Sequence, residues 1–224
     1  MHKGICILSG LRCSSLAAAL AALLLVASPT SAADSARPLT ILALGDSLFA
    51  GYGLPAGQSV PDLLAERLRR EGYPVRMVNA GISGDTTAGG LARLPWLLRE
   101  RPDVAMLELG ANDGLMGMPP ENMEKNLAAM LDLFAEKRIP VLLAGMRSLA
   151  NFGPDYAARF NAVFPRLAGK HGASFLPFLL EGVAMRPELN QADGIHPNPA
   201  GAAKVADNLY PLLKDLVDQT LAGR

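Results

Sequence analysis

The sequence predicts an α/β protein in which helices cover both faces of a five-stranded parallel sheet. Short apolar runs, typical of buried strands, alternate along the chain with longer segments whose apolar residues recur at helical spacing. Strands that alternate with helices in this way favour a parallel sheet. No repeat, low-complexity tract or linker interrupts residues 38–221, so we expect the sheet and its helices to form one domain.

Each element is predicted from its own local pattern. The strand predictions are short apolar runs such as LTILAL, and they fall at residues 39–44, 75–79, 104–109, 141–144 and 174–178. The helix predictions carry an apolar stripe with charges opposite, and they fall at residues 60–71, 86–100, 120–137, 154–169 and 198–221. Asn198 and Pro199 suit the N-cap and the first turn of the last helix.

The first 33 residues have the order of a secretory signal peptide. A weakly basic start with Lys3 and Arg12 precedes an apolar run over residues 16–27, and small residues follow it. We expect cleavage after residue 32 or 33, which leaves a single domain over residues 34–224 that is periplasmic or secreted. An uncleaved N-terminal anchor is the alternative, although the run is short against the roughly 20 residues of a spanning helix. No later stretch predicts a membrane span.

The composition of the mature chain excludes several classes of protein. Without residues 1–33, 19 basic residues face 21 acidic ones, which predicts no binding of nucleic acid or anionic lipid. Cys6 and Cys13 both lie in the predicted signal, so no thiol remains for a cysteine nucleophile, a disulfide or a thiolate metal site. Only His171 and His196 remain as histidines. Nothing demands more than a monomer.

Small and polar residues follow the predicted strands, at the edge of the sheet where such folds bind ligands. GDSL at residues 45–48, NAGISGD at 79–85 and GAND at 110–113 follow the first three strands. DGIHP at residues 193–197 precedes the last helix. Each block alone would more often be an ordinary loop, but together they supply what acyl transfer requires.

Acyl transfer by serine requires a nucleophile, a base and donors for the oxyanion. Ser47 is the predicted nucleophile and His196 the base, because a serine hydroxyl is weak unless a base takes its proton. Asp193, three residues before His196, is placed to fix the imidazole tautomer. The candidate oxyanion donors are the backbone N–H groups of Ser47 and Gly84 and the side-chain amide of Asn112.

These blocks resemble those of the SGNH, or GDSL, hydrolase family. NAGISGDT, GLARLP and ELGANDG are further similar to the bacterial periplasmic multifunctional acyl-hydrolases, which combine thioesterase, arylesterase and lysophospholipase activities. The resemblance covers nearly the whole mature chain with the blocks in order. It implies a flavodoxin-like three-layer α/β/α sandwich and no metal or other cofactor. It also implies that Asp193 completes a triad and that the four residues for which the family is named are Ser47, Gly84, Asn112 and His196.

The expected substrates are small acyl esters or thioesters, and the acyl group requires an apolar groove. Candidates lie in the loops near the predicted site, and their alternative role is ordinary loop packing. They are Leu115, Met116, Met118, Leu149 and Phe152. Asp46 and Asp113 are expected to brace their turns rather than to act in chemistry. His171, near a predicted helix end, is expected to be solvated.

Four alternatives stay open at this point. Ser83 could be the nucleophile, although the first block and Gly84 would then have no role. GYGLPA at residues 51–56 imitates a dinucleotide fingerprint but begins six residues after Gly45 rather than at the strand end. A non-catalytic carrier of acyl compounds would need a cavity but not the serine. A metal-dependent phosphoesterase would use oxygen and nitrogen ligands, for which the candidates are Asp46, Asn112, Asp113, Asp193 and His196.

Overall fold

The computed structural model describes residues 37–148 and 150–224. The predicted signal peptide at residues 1–33 and the groove candidate Leu149 lie outside the described residues. Within them the chain forms five strands, which are β1 Leu39–Gly45, β2 Val75–Gly81, β3 Val104–Glu108, β4 Val141–Ala144 and β5 Ser174–Leu176. Every predicted strand is therefore present.

All neighbouring strands of the sheet are parallel, in the order β2-β1-β3-β4-β5. Leu42 of β1 lies opposite Val78 of β2 on one side and Ala105 of β3 on the other. Because β1 lies between β2 and β3, successive connections leave it in opposite directions, and a crevice opens beyond the carboxyl ends of β1 and β3. The predicted five-stranded parallel sheet is confirmed.

Two layers of helices cover this sheet. The helices are α1 Ser47–Ala50, α2 Val60–Arg70, α3 Thr87–Leu97, α4 Ala111–Leu115, α5 Pro120–Glu136, α6 Pro154–His171 and α7 Pro199–Ala222. Short 3-10 turns span Leu98–Glu100, Ala150–Phe152 and Pro187–Leu189. Helices α2 and α7 pack together in one layer, while α3 packs on α5 and α5 on α6 in the other. The result is the predicted three-layer sandwich. None of the helices in the described part of the chain is long and apolar enough to cross a membrane.

Central and edge strands differ in burial as the layers require. Every residue of β1, β3 and β4 is buried, because helices cover both faces of these strands. The apolar runs that predict them are continuous for the same reason. Thr40 and Glu108 are the polar members of these three strands. Strand β2 lies at the edge of the sheet, and Asn79 on it is exposed.

The last helix begins as the sequence predicts. The Asn198 side chain accepts hydrogen bonds from the backbone N–H groups of Ala200 and Gly201, both at 3.0 Å. Pro199 is the first helical residue, where its missing N–H leaves no bond unmade. This cap fixes where α7 starts, and so it also fixes the end of the loop that carries residue 196.

Two short helices and several element ends differ from prediction. Helices α1 and α4 were not predicted, because four or five residues are too few to show a helical period. Strand β5 ends at Leu176 rather than at residue 178, since Pro177 has no N–H for the strand ladder. Helix α6 runs two residues past Gly169 to His171, and Gly172, in the left-handed conformation, ends it.

The expectation that His171 is solvated is wrong. Its side chain is only 8% exposed, and its Nδ1 lies 3.6 Å from Asp132 Oδ1. The cause is the packing of α6 on α5, which brings the last residue of α6 against a carboxylate of its neighbour.

Gly81 lies at the end of β2, where that strand passes the short helix α1, and this close approach generates a stability prediction. A Cβ added at Gly81 would lie 2.7 Å from the Cα of Ala50, a backbone atom that cannot move aside cheaply. We expect Gly81→Ala to destabilise the fold by about 1–3 kcal/mol through overpacking. Gly169→Ala is the matched control, because nothing lies near that exposed helical position, and it should stabilise by about 0.5–1 kcal/mol. Thermal or urea unfolding of both variants measures the difference, and equal effects would contradict the tight packing.

Candidate active site

Ser47 lies at a sharp turn from the first strand into a short helix. Strand β1 ends at Gly45, and α1 begins at Ser47 itself. Asp46 caps this helix, since its Oδ1 accepts from the backbone N–H of Leu48 at 3.0 Å. The turn places the Ser47 hydroxyl at the carboxyl end of the sheet. It also leaves the Ser47 N–H among the first donors of a helix, which have no partner within the helix.

The imidazole of His196 joins Ser47 to Asp193. His196 Nε2 lies 2.9 Å from Ser47 Oγ, and Nδ1 lies 2.7 Å from Asp193 Oδ2. The Asp193 carboxylate also accepts from the backbone N–H groups of Ile195 and His196, both at 3.0 Å. The backbone bond from His196, then its side-chain bond and that from Ile195, lower the pKa of Asp193 to about 2. An ionised Asp193 retains the proton on Nδ1, so Nε2 is the acceptor that faces the serine.

The turn that carries His196 is held by contacts that the sequence did not reveal. The backbone N–H of Gln191 donates to the carbonyl of His196 at 2.8 Å. The Gln191 side-chain amide donates to the carbonyl of Tyr52 at 2.7 Å and to that of Pro197 at 2.9 Å. The Tyr52 ring lies 4.6 Å from the imidazole, centroid to centroid. The histidine is therefore fixed against the segment that follows α1.

The predicted oxyanion donors line the same cavity as Ser47. Gly84 lies in the loop after β2 with a φ of 81°, a left-handed conformation that favours glycine. The Asn112 amide donates to the carbonyl of Asp85 at 2.8 Å and to Asp46 Oδ2 at 3.1 Å. The structure thus brings Ser47, Gly84 and Asn112 to the wall of one cavity, with the Asn112 amide engaged by two acceptors.

Arg93 of α3 fastens the loop that contains Gly84, and the sequence predictions did not include it. Its Nε lies 2.7 Å from Asp85 Oδ2. Its two other nitrogens donate to the carbonyl of Ala80 at 2.6 Å and to that of Gly45 at 3.0 Å. One guanidinium therefore binds the ends of β1 and β2 and the loop between β2 and α3. In the sequence, Arg93 stood out only as part of GLARLP, one of the stretches that carry the family resemblance.

Two buried carboxyl groups lie under the nucleophile turn. Glu108, the last residue of β3, accepts through Oε2 from the backbone N–H of Asp46 at 3.1 Å. Burial raises the pKa of Asp46 to about 6. Burial, with the neighbouring charge of Asp46, raises the pKa of Glu108 well above its ordinary value. Asp46 braces the turn, as expected.

Asp113, expected to brace the loop of Asn112, ties that loop to the start of α3. It accepts from the Thr87 backbone N–H at 2.9 Å and from the Thr87 hydroxyl at 2.6 Å. Asp113, one of the candidate metal ligands, is therefore engaged by α3. Within the described residues no group of three or more His, Cys, Asp or Glu side chains could hold a metal ion.

An apolar cavity of about 320 Å³ opens beside Ser47 and His196. Of the groove candidates, Leu115 lines this cavity, whereas Met116, Met118 and Phe152 do not. The Met116 side chain is 63% exposed. Phe152 packs instead on Tyr156, at 5.2 Å between ring centroids. The Tyr156 hydroxyl donates to the carbonyl of Met118 at 2.8 Å, so that segment lies against α6 rather than in the cavity.

Much of the cavity wall comes from a segment without helical or strand period. Residues 179–197 have neither a helical nor a strand pattern, so nothing marked their apolar side chains as a wall. The lining residues from this segment, from residue 178 and from the chain just after β4 include Met146, Phe178, Leu180, Ala184, Met185 and Ile195. Ser83, the alternative nucleophile, also lines it, but the hydroxyl that bonds to His196 is that of Ser47.

Comparison with known proteins places this geometry in a family. The model of the GDSL-like Lipase/Acylhydrolase family matches residues 43–204. The esterase TesA of Pseudomonas aeruginosa is 44% identical over 185 residues, which cover 82% of this chain and 92% of that protein. Thioesterase 1/protease 1/lysophospholipase L1 of Escherichia coli is 41% identical over 180 residues, which cover 80% of this chain and 85% of that protein.

A solved structure agrees with these sequence matches. The crystal structure of TesA superposes with a TM-score of 0.76 at 46% identity, covering 79% of this chain and 99% of that one. The family resemblance predicted from the four sequence blocks is thus confirmed over most of the described residues. The chain belongs to the GDSL-like lipase/acylhydrolase family.

Proposed function

We propose that this protein hydrolyses carboxylic esters and thioesters through an acyl-enzyme formed on Ser47. The observation that carries the proposal is the hydrogen-bonded chain from Asp193 through His196 to the Ser47 hydroxyl, with distances of 2.7 and 2.9 Å. This chain opens into an apolar cavity, as a substrate with an acyl group requires. The names of the relatives, which include an esterase, a thioesterase and a lysophospholipase, agree with this class of reaction.

The proposed reaction has two similar halves. His196 Nε2 takes the proton of Ser47 as the serine oxygen bonds to the acyl carbon, and the carbonyl becomes an oxyanion. The bond to the leaving group then breaks, and the alcohol or thiol departs with the proton from His196. In the second half, water gives its proton to His196 and attacks the acyl carbon. The bond from that carbon to Ser47 Oγ then breaks, the carboxylic acid leaves, and His196 returns the proton to Ser47. The ionised Asp193 stabilises the imidazolium in both halves.

Three donors are proposed to bind the oxyanion, namely the N–H groups of Ser47 and Gly84 and the Asn112 amide. Asn112 already donates to the Asp85 carbonyl and, through a longer bond of 3.1 Å, to Asp46. An oxyanion beside Ser47 would share or replace the longer of these bonds. Each such donor typically contributes about 100- to 1000-fold to turnover.

The export of the protein is a further part of the proposal. The basic, apolar and small-residue order of residues 1–33 supports a cleaved signal peptide, a periplasmic or secreted location, and one hydrolase domain over residues 34–224. The N-terminal residue of the protein recovered from a secreting host tests this, and we expect Ala33 or Asp34. A mature chain that still begins at Met1 would contradict it.

Replacing the nucleophile tests the assignment of Ser47. We expect Ser47→Ala to lower kcat by more than about 10⁴-fold on nitrophenyl esters and acyl thioesters, because the acyl-enzyme cannot form. Ser83→Ala serves as the control for the alternative nucleophile and should retain turnover. Chain-length series on both variants and on wild type provide the measurement.

The same substitution separates the rival functions. A carrier would bind acyl compounds and turn none over, and a metal-dependent phosphoesterase would lose activity in a chelator while resisting an organophosphonate. Full esterase activity in a folded Ser47→Ala variant would reject the proposed nucleophile.

The pH dependence of the reaction follows from its base. The reaction requires a histidine that is free to accept the serine proton, so we expect kcat/KM to fall at acidic pH. Protonation of Asp46, whose pKa is raised to about 6 by burial, weakens its bonds to Leu48 and Asn112 as the pH falls through that value. Asp193, with a pKa of about 2, stays ionised over this pH range, so its titration does not contribute to the fall in kcat/KM.

Initial rates between about pH 4 and pH 9, with folding checked by circular dichroism at each pH, provide the measurement. A flat profile over that range would argue against a histidine base.

A further inference from the structure

A buried acid, Glu108, lies beneath the nucleophile turn, and the proposed reaction leaves it without a role. Its side chain is completely buried at the end of β3. Gly45 packs so closely on it that a Cβ there would lie 2.6 Å from Glu108 Oε2. Burying a carboxyl group in this way costs free energy unless hydrogen bonds or a charge partner offset it.

Glu108 reaches the catalytic groups through Asp46. Its Oε2 accepts from the Asp46 backbone N–H at 3.1 Å, and both carboxyl groups are fully buried beside each other. The charge of Asp46 adds to burial in raising the pKa of Glu108. The two oxygens of Asp46 bind opposite parts of the site, because Oδ1 accepts from the Leu48 N–H at 3.0 Å and Oδ2 from the Asn112 amide at 3.1 Å. One carboxylate thus holds both the Ser47 turn and an oxyanion donor.

The surroundings of the pair favour one proton between the two carboxyl groups. Two carboxylates in contact in a buried site cannot both ionise at low cost. Glu108 Oε1 is buried without a hydrogen-bond partner among the described residues, which a neutral acid tolerates better than an anion does. The charged or titratable groups that face the pair are Asp85 and His196, and Asp85 is itself paired with Arg93 at 2.7 Å.

We propose that Glu108 is a positioning residue that acts as a neutral carboxylic acid, donating its O–H to the Asp46 carboxylate so that Asp46 keeps both the Ser47 turn and the Asn112 amide in place. This inference rests on the proposed function of Ser47. A negative charge on Glu108 would repel the Asp46 carboxylate and disturb its hydrogen bonds with Leu48 and Asn112. The neutral acid instead orients Asp46 and leaves the single negative charge on it.

Paired substitutions separate a neutral acid from an anion. Gln is neutral and has nearly the shape of a protonated Glu. Its NH2 can donate to the Asp46 carboxylate but cannot accept the Asp46 N–H that Oε2 accepts, so Glu108→Gln should lose some activity yet retain kcat to within about tenfold of wild type. Glu108→Ala removes the donor and should lower kcat by about 100-fold, comparable to the loss of one oxyanion donor, with KM changed by less than about threefold. Loss of activity to the same extent in both folded variants would overturn the proposal, as would wild-type kcat in Glu108→Ala.

Infrared spectroscopy tests the protonation state without relying on activity. At about pH 8, where an ordinary carboxyl group is ionised, the difference spectrum between wild type and Glu108→Gln should contain the carbonyl band of a protonated carboxylic acid. A carboxylate band in its place would overturn the proposal even if both variants fail in kinetics. Failure of the Ser47 mechanism would instead be seen as activity in Ser47→Ala, and it would leave the infrared result unchanged.

Discussion

The hydrogen bond between Ser47 and His196 joins residues 149 positions apart, and the arrangement of the site depends on it. It forms only when the turn after β1 and the turn before α7 meet at the same edge of the sheet. Asp46 fixes the first turn through Leu48, while Gln191 and the Asn198 cap fix the second. The sheet order makes this meeting possible, because β1 lies centrally and its carboxyl end opens into the crevice.

The fold could be predicted from the sequence because its central strands are buried on both faces and its long helices on one. Burial on both faces makes β1, β3 and β4 continuous apolar runs, and one-sided burial gives the long helices their stripe. Helices α1 and α4 escape such reasoning since each spans scarcely more than one turn. His171 was misjudged because its environment comes from α5, a neighbour that no local pattern could reveal.

The catalytic residues were easier to predict than the residues that hold them in place. Ser47, Asp193 and His196 stand in short blocks with a chemical logic, and the structure brings them within hydrogen-bonding distance. Arg93 and Glu108 contact residues that lie far from them in the chain, so no local spacing in the sequence could reveal these contacts. Glu108 nevertheless left a signal, since an acid inside the apolar run VAMLEL must be buried with a partner. Apart from Leu115, the cavity wall left none, because most of it comes from an irregular loop whose course depends on the whole fold.

The covalent intermediate on Ser47 is the central claim, and trapping it is the most direct test. A nitrophenyl ester reaction quenched in acid within the first turnovers would be examined by intact mass and by mapping of proteolytic peptides. The account predicts a mass gain of one acyl group on the peptide that contains Ser47, and a release of nitrophenol in the first turnover that matches the enzyme concentration. An acyl group on another residue, or turnover that proceeds with no trapped intermediate and no labelling of Ser47 by an organophosphonate, would contradict it.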